Sequence, residues 1–241
     1  AEECERGQCL FSAGHRLRVQ DLSLLAQAGV NSVDVLAAPR VALRFADDVI
    51  QQRCEAMMLA ILQRDSVVAE VVNDRDDWFA SDADVLLAVG GSGYDESDAM
   101  YQALTAHGEV TLDRDGVAIN PGVGSVLATV KGRPLLLLPG QPLAAFAAAE
   151  LLLSRLLHRF TACRSPVYET LRCRLGRKIA SRIGRLEMAR VRLETDTAVP
   201  LAVSEERILS TAVNADGFVL VAENSEGHAA GEIVTVHRFP R

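Results

Sequence analysis

Two uninterrupted apolar runs stand out along the chain, Val85–Val89 (VLLAV) and Arg133–Leu138 (RPLLLL). Both have the length of a strand and no polar alternation, which is the pattern of a parallel strand covered on both faces. The first run empties into Gly90, Gly91, Ser92 and Gly93. Glu96–Ala106 follows, with Ala99, Met100, Ala103 and Leu104 on one helical face. The second empties into Pro139, Gly140, Gln141 and Pro142 and then an Ala/Leu-rich helix reaching about Phe160, with Pro142 suited to its first turn. Upstream, Arg40–Arg44 reads as a strand. Asp47–Gln63 reads as a helix, with Val49, Ile50, Met57, Met58, Ile61 and Leu62 in helical spacing and Asp47 and Asp48 at its positive end. Ser66–Val72 is strand-like and Asn73–Asp77 a charged turn. Glu109–Leu112, Val117–Ile119 and Val126–Val130 are short strands, with Pro121–Gly124 a turn.

Alternation of strand and helix from 40 to 160 predicts an α/β unit with a mainly parallel sheet. In such a sheet ligands bind beside the loops that leave the carboxyl ends of the strands. That places the loops after residues 44, 89 and 138 along one crevice. From Ser165 the texture changes to short alternating runs at Tyr168–Leu175, Glu187–Leu193, Ala198–Val203, Gly217–Ala222 and Glu232–Phe239, the pattern of a small β domain, a barrel or a sandwich. Before residue 39 only Leu22–Ala28, closed by Gly29, reads as a helix, and Val33–Leu36 as a strand. The expected division is a remnant N-terminal segment at 1–38, an α/β domain at 39–163 and a β domain at 164–241.

Charge narrows the ligand. With 25 basic and 32 acidic residues the net charge is −7, which argues against duplex nucleic acid or an anionic membrane as partner. A negatively charged ligand therefore needs local help from backbone N–H groups or a cation. Five cysteines, at 4, 9, 54, 163 and 173, form no C-x-x-C pair and suit reduced thiols in the cytoplasm. No run of apolar residues is long enough to span a bilayer and no secretory signal is visible. The five histidines show no ligand spacing, and neither a Ser-His-Asp elbow nor a Walker loop is present.

Several of these stretches, in order, resemble the molybdopterin molybdenumtransferase family, enzymes of molybdenum cofactor biosynthesis. Gly29–Asp48 resembles the segment leading to the family's Thr-Gly-Asp-Glu turn. GGSGYDESD at Gly90–Asp98 is similar to the Gly-Gly-[Ser/Thr]-Gly loop of the related adenylyltransferases. AINPG at Ala118–Gly122 and LLPGQPLAAF at Leu137–Phe146 are similar to the Lys-Pro-Gly and Leu-Pro-Gly-Asn-Pro segments. GRLEMAR, STAVNADGFVLV and AGEIVTV, beyond residue 165, resemble the C-terminal β domain. The resemblance implies a three-layer molybdopterin-binding α/β domain followed by a small β-barrel-like domain. It also implies insertion of molybdate into adenylylated molybdopterin. The polar pattern is thinner here: Phe45 and Ala46 stand for the expected Thr and Gly, Asn120 for a Lys, Val123-Gly124 for a Lys-Pro and Ala144 for a Ser.

The candidate catalytic residues are Asp98 and Asp47, which are also the candidate metal ligands. Acidic groups in a phosphate crevice call for a bridging cation, and Mg²⁺ is the hard, oxygen-preferring choice. The competing structural reading makes both aspartates helix-start residues. Gly90, Gly91, Ser92, Gly93, Asn120, Pro139, Gly140, Gln141 and Pro142 are the candidate binding residues for molybdopterin or molybdopterin-AMP, against a reading of the two loops as tight turns. Two functions follow: a molybdate-inserting transferase, or a non-catalytic molybdopterin- or nucleotide-binding relative that carries cofactor or docks a molybdoenzyme or synthesis partner. A homodimer fits either.

Overall fold

A computed structural model describes residues 4–5, 7–91, 99–161, 168–201 and 208–240. The order of elements is α1 (Val19–Gln27), β1 (Arg40–Phe45), α2 (Asp48–Arg64), β2 (Val68–Val71), α3 (Arg75–Ala80), β3 (Val85–Val89), α4 (Ala99–Ala106), β4 (Val110–Val117), β5 (Ile119–Asn120), β6 (Ser125–Val130) and β7 (Arg133–Leu138). A helical rod follows as α5 (Pro142–Ala148), a π-helical turn (Ala149–Leu153) and α6 (Ser154–Phe160). Then come β8 (Thr170–Leu175), β9 (Ile179–Ala180), β10 (Leu186–Glu194), β11 (Thr197–Pro200), α7 (Ser210–Val213), β12 (Gly217–Val221), β13 (Gly227–His228) and β14 (Ile233–Arg238). None of the described helices is long and apolar enough to cross a membrane.

The two apolar runs do lie in the middle of a sheet. Its order is β2-β1-β3-β7-β6-β4. β1 runs parallel to β2 and β3, and β3 parallel to β7, with Phe45 opposite Val89 and Val89 opposite Leu138. β6 runs against the rest, antiparallel to both β7 and β4, so β4 again points the way β7 does. Successive side chains on a strand face opposite ways, so Val41, Leu43, Phe45, Val85, Leu87, Val89, Leu136 and Leu138 pack with α2 and the helical rod. Ala42, Leu86, Ala88, Leu135 and Leu137 pack on the other side with Trp78 and Phe79 of α3 and Met100 and Leu104 of α4. The result is three layers. Trp78 is fully buried and its Nε1–H donates to the Ala42 carbonyl at 2.8 Å, which ties α3 to β1.

The second sheet closes on itself. β10 pairs with β11 and β12, β11 with β8, and β8 and β12 with β14, giving a five-stranded barrel. Cys173, Leu175, Ala189, Val191, Val219, Val221, Val234 and Val236 fill it. β5 joins this sheet rather than the first, with Ile119 and Asn120 parallel to Leu186 and Glu187. Tyr168, Met188 and Phe218 from the barrel side bury themselves in the same apolar cluster as the helical rod.

Polar groups buried at that junction are paired. Glu150, fully buried in the π turn, receives the Arg64 Nη1 donor at 2.6 Å, and the Tyr168 hydroxyl donates to its Oε2 at 2.5 Å. Arg64 also donates to Asp65 and to Ser154 Oγ, and Ser154 donates to Asp65 Oδ2 at 2.6 Å. Burial alone would lower the Arg64 guanidinium pKa, but hydrogen bonds to Asp65 and Glu150 outweigh it and hold it raised. Burial and the facing Glu150 carboxylate raise the Tyr168 phenol.

Four local expectations are corrected. Val33–Leu36 forms no strand, because no neighbour pairs with it, and Val35 and Leu36 are exposed. Arg75–Ala80 is a helix, not part of a turn: the Asp74 side chain accepts from the N–H groups of Asp76 and Asp77 and starts it. The strand expected at Glu109–Leu112 runs on to Val117 as one irregular strand, β4, whose register shifts beside Arg114, and the one expected at Val117–Ile119 is divided between the end of β4 and β5. The helix after Pro142 is interrupted by the π turn, where Glu150 turns inward.

Arg64→Met should cost about 3–5 kcal/mol, because it leaves a buried carboxylate without its cation, whereas Tyr168→Phe should cost about 1–3 kcal/mol; urea unfolding reads both. His237 stacks on Phe218 at 5.1 Å, and burial, with Arg155 adding, pushes its imidazole pKa below 6.5. The unfolded chain therefore takes up this proton more readily than the folded one. This part of the stability is complete above the unfolded pKa and is lost as pH falls through it towards the folded value. Thermal midpoints between about pH 8 and 5 should fall less steeply for His237→Gln than for the parent.

Candidate functional site

The carboxyl ends of β1, β3 and β7 meet at the start of α2. Ala46 N–H donates to the Val89 carbonyl and Gly90 N–H to the Leu138 carbonyl, so the three loops are stitched edge to edge. Ile50, in the first turn of α2, lies over them. A Cβ on Gly90 would come within 2.4 Å of Ile50 Cδ1, and one on Gly140 within 2.8 Å of the same atom and 3.2 Å of Gly90 Cα. Gly90 also sits at φ +90°, in the left-handed region. Packing against Ile50 thus accounts for these two glycines without reference to a ligand.

Asp47 is the N-cap of α2. Its Oδ1 accepts from Ile50 N–H at 2.8 Å, and on this exposed side chain Oδ2 has no partner among the described residues. It faces a crevice of about 390 Å³ whose wall is Arg44, Ala46, Asp47 and Ile50 on the β1–α2 side, Gly91 after β3, Arg75 at the start of α3, and Ala99, Met100 and Ala103 of α4. Phe45 points into the core with Val41 and Leu43 and does not fill the crevice; the small Ala46 lines it instead.

Asp47 and Gly91 are therefore the sequence candidates found on this wall. Gly90 is buried beneath it, its N–H already used. Pro139 is buried, Gly140 carbonyl lies 3.8 Å from the Cys54 thiol, and Gln141 is the exposed N-cap of α5, with Pro142 in the first turn. None of Pro139–Pro142 lines the crevice. Asn120 is fully buried at the barrel junction, where its Nδ2 donates to Glu187 Oε1 at 2.6 Å and its Oδ1 has no partner. Ser92, Gly93 and Asp98 lie outside the described residues. Among the described residues no group of three His, Cys, Asp or Glu side chains could hold a metal ion. Asp47 alone offers a single carboxylate, too few ligands to hold a metal ion by itself.

Two wall residues, Arg44 and Arg75, escape the sequence reading. Arg44 is the penultimate residue of β1, on the face opposite Phe45, and Arg75 opens the helix that was read as a turn. Their signal was an arginine beside the carboxyl end of a parallel strand. Arg44 Nη1 donates to the Asn73 carbonyl, its Nε is buried without a partner, and burial lowers the guanidinium's pKa, with Asp74 acting to raise it and Arg75 to lower it.

Both parts of the chain have counterparts among known proteins. A family profile described as "Probable molybdopterin binding domain" matches residues 54–159, and one described as "MoeA C-terminal region (domain IV)" matches residues 172–239. In both matched regions the chain is similar to MoeA-like proteins of molybdenum cofactor biosynthesis. It is 29% identical over 157 residues to a molybdopterin biosynthesis protein of Methanocaldococcus jannaschii, covering 65% of this chain and 37% of that protein. A MoeA protein structure from Pyrococcus horikoshii OT3 matches with a TM-score of 0.79 at 19% identity, covering 99% of this chain and 63% of the other. A molybdenum cofactor biosynthesis protein structure from Pyrococcus furiosus matches at 0.76 and 24% identity, covering 99% and 82%. This MoeA-like chain thus spans little more than a third of the curated relative and under two thirds of the P. horikoshii chain, and at these identities the two structures bear on the fold alone.

The close approach of Ile50, Gly90 and Gly140 is directly testable. Gly140→Ala should destabilise by about 1–3 kcal/mol through overpacking, and Ile50→Val, which removes the opposing Cδ1, should recover part of that loss in the double variant. Additive losses in thermal or urea unfolding would show that the two sites do not touch.

Proposed function

We propose that this chain supplies the pterin-binding and barrel parts of a cytoplasmic molybdate-inserting transferase, whose substrates are molybdate and adenylylated molybdopterin. The observation that carries the reading is the crevice at the carboxyl edge of β1 and β3, walled by Asp47, just before the profile-matched region, and by Gly91 inside it. A phosphate-bearing pterin enters there, and Gly91 leaves room for it beside the backbone. Asp47, fixed by its cap bond to Ile50, holds its other oxygen at the mouth. Asp47 and Asp98 would hold Mg²⁺, which would supply positive charge to offset that of the ligand phosphate. The protein's part is orientation and charge placement, with no covalent nucleophile.

The second reading, a non-catalytic pterin carrier or docking module, draws on Asn120: where a lysine is expected the chain places a neutral side chain buried against Glu187. Complementation of a strain lacking its molybdenum-insertion enzyme separates the two. Growth of molybdoenzyme activity supports the transferase; ligand binding without complementation supports the carrier.

Calorimetry with molybdopterin or its AMP adduct should give one site whose affinity rises with Mg²⁺. A ligand at a hundred times its dissociation constant should add about 2.7 kcal/mol to stability. Asn also caps helices, so Asp47→Asn should change unfolding by less than about 1 kcal/mol while abolishing the Mg²⁺-dependent increment. Asp98→Asn should remove insertion activity with a similarly small effect on folding. An Mg²⁺ response that survives both substitutions excludes the aspartates as ligands.

A further inference from the structure

The acidic and basic side chains around the crevice are unequally committed. Asp47 Oδ1 caps Ile50, and Asp74 accepts from the N–H groups of Asp76 and Asp77, so each carboxylate is engaged by a helix start. The two arginines are not paired with either. Arg44 is held by one bond, Nη1–H to the Asn73 carbonyl, and Nη2 has no partner among the described residues. Its buried Nε has none either. Arg75 has a single ion pair, to the exposed Asp76 at 3.4 Å, and pairs of that kind contribute little and exchange readily with water.

We infer that Arg44 and Arg75 form a guanidinium clamp for a phosphate or pyrophosphate group, Arg44 as the preset jaw and Arg75 as the mobile one. The inference rests on the reading of the crevice as the pterin site and adds which atoms would recognise the ligand's anion. Two guanidiniums on one wall repel each other, and a multiply charged anion between them removes that cost. Arginine forks engage phosphate oxygens two at a time, and two cations together favour a multiply charged phosphate or pyrophosphate over a singly charged anion and over the same ligands without phosphate. In a chain of net charge −7, Arg44 without an ion pair among the described residues and Arg75 held only by exposed Asp76 give an anion a local reason to enter this wall.

Arg75→Gln is the cleanest variant, because it removes only a surface ion pair, and Arg44→Lys keeps the charge while losing the fork. Inorganic pyrophosphate and molybdopterin are titrated calorimetrically into the parent and both variants, with thermal midpoints recorded alongside. The clamp predicts that pyrophosphate binds one site in the parent and weakens about tenfold or more in each variant, with the Arg75→Gln midpoint unchanged. Pyrophosphate that fails to bind the parent, or binds Arg75→Gln as tightly, overturns the clamp. Molybdopterin that binds the parent but ignores both substitutions overturns the clamp and leaves the proposed function standing. Pyrophosphate binding that depends on the arginines, with no molybdopterin binding at all, supports the clamp and refutes the proposed function.

Discussion

Ile50 occupies the space that two β-carbons would otherwise claim. By filling the gap above Gly90 and Gly140 it seats the first turn of α2 on the ends of three adjacent parallel strands. The cap residue Asp47 and the crevice beside it follow from that seating. The strands can be brought so close only because their side chains on this face, from Val41 and Leu43 to Leu136 and Leu138, form one continuous apolar layer under α2. Packing of the sheet and the position of the crevice are therefore one constraint: a larger residue at either glycine pushes α2 away and widens or distorts the wall that Ala46 and Asp47 provide.

A second constraint joins the α/β layers to the barrel. Isolated buried charges are costly, and Glu150 is tolerated because Arg64 and Tyr168 reach it from opposite sides. One partner comes from the end of α2, the other from the chain just before β8. The same helix thus carries Asp47 at one end and Arg64 at the other, so displacement of the barrel is felt through Glu150 and Arg64 by α2, which carries part of the crevice wall. Asn120 and Glu187 make a second buried bond across the junction, where β5 leaves its own sheet to extend the barrel.

The parts legible in the sequence were those with long apolar signals. VLLAV and RPLLLL cannot be soaked in water, and their lack of alternation marks strands covered twice, which β3 and β7 are. α2 was legible from its spacing and its aspartates, and the barrel strands from alternation broken by Gly, Asn and Asp. α3 was missed because six residues are too few to show a period, although Asp74 carried a capping signal. The π turn was missed because a buried Glu in an Ala/Leu run looks like an interruption until its Arg and Tyr partners are known. At the site, Gly90 and Gly140 read as ligand-facing, yet the packing of Ile50 already requires them. Arg44 was passed over because one-dimensional patterns do not tell which arginine at a strand end lacks a carboxylate partner.

The central claim is that the crevice beside Asp47 and Gly91 takes the phosphate-bearing pterin. A crystal structure of the chain with molybdopterin-AMP and Mg²⁺ tests it most directly. The account predicts ligand density between Arg44, Asp47 and Gly91, over the carboxyl ends of β1 and β3. Density confined to the barrel junction near Asn120 and Glu187, with this crevice filled by solvent, would contradict it.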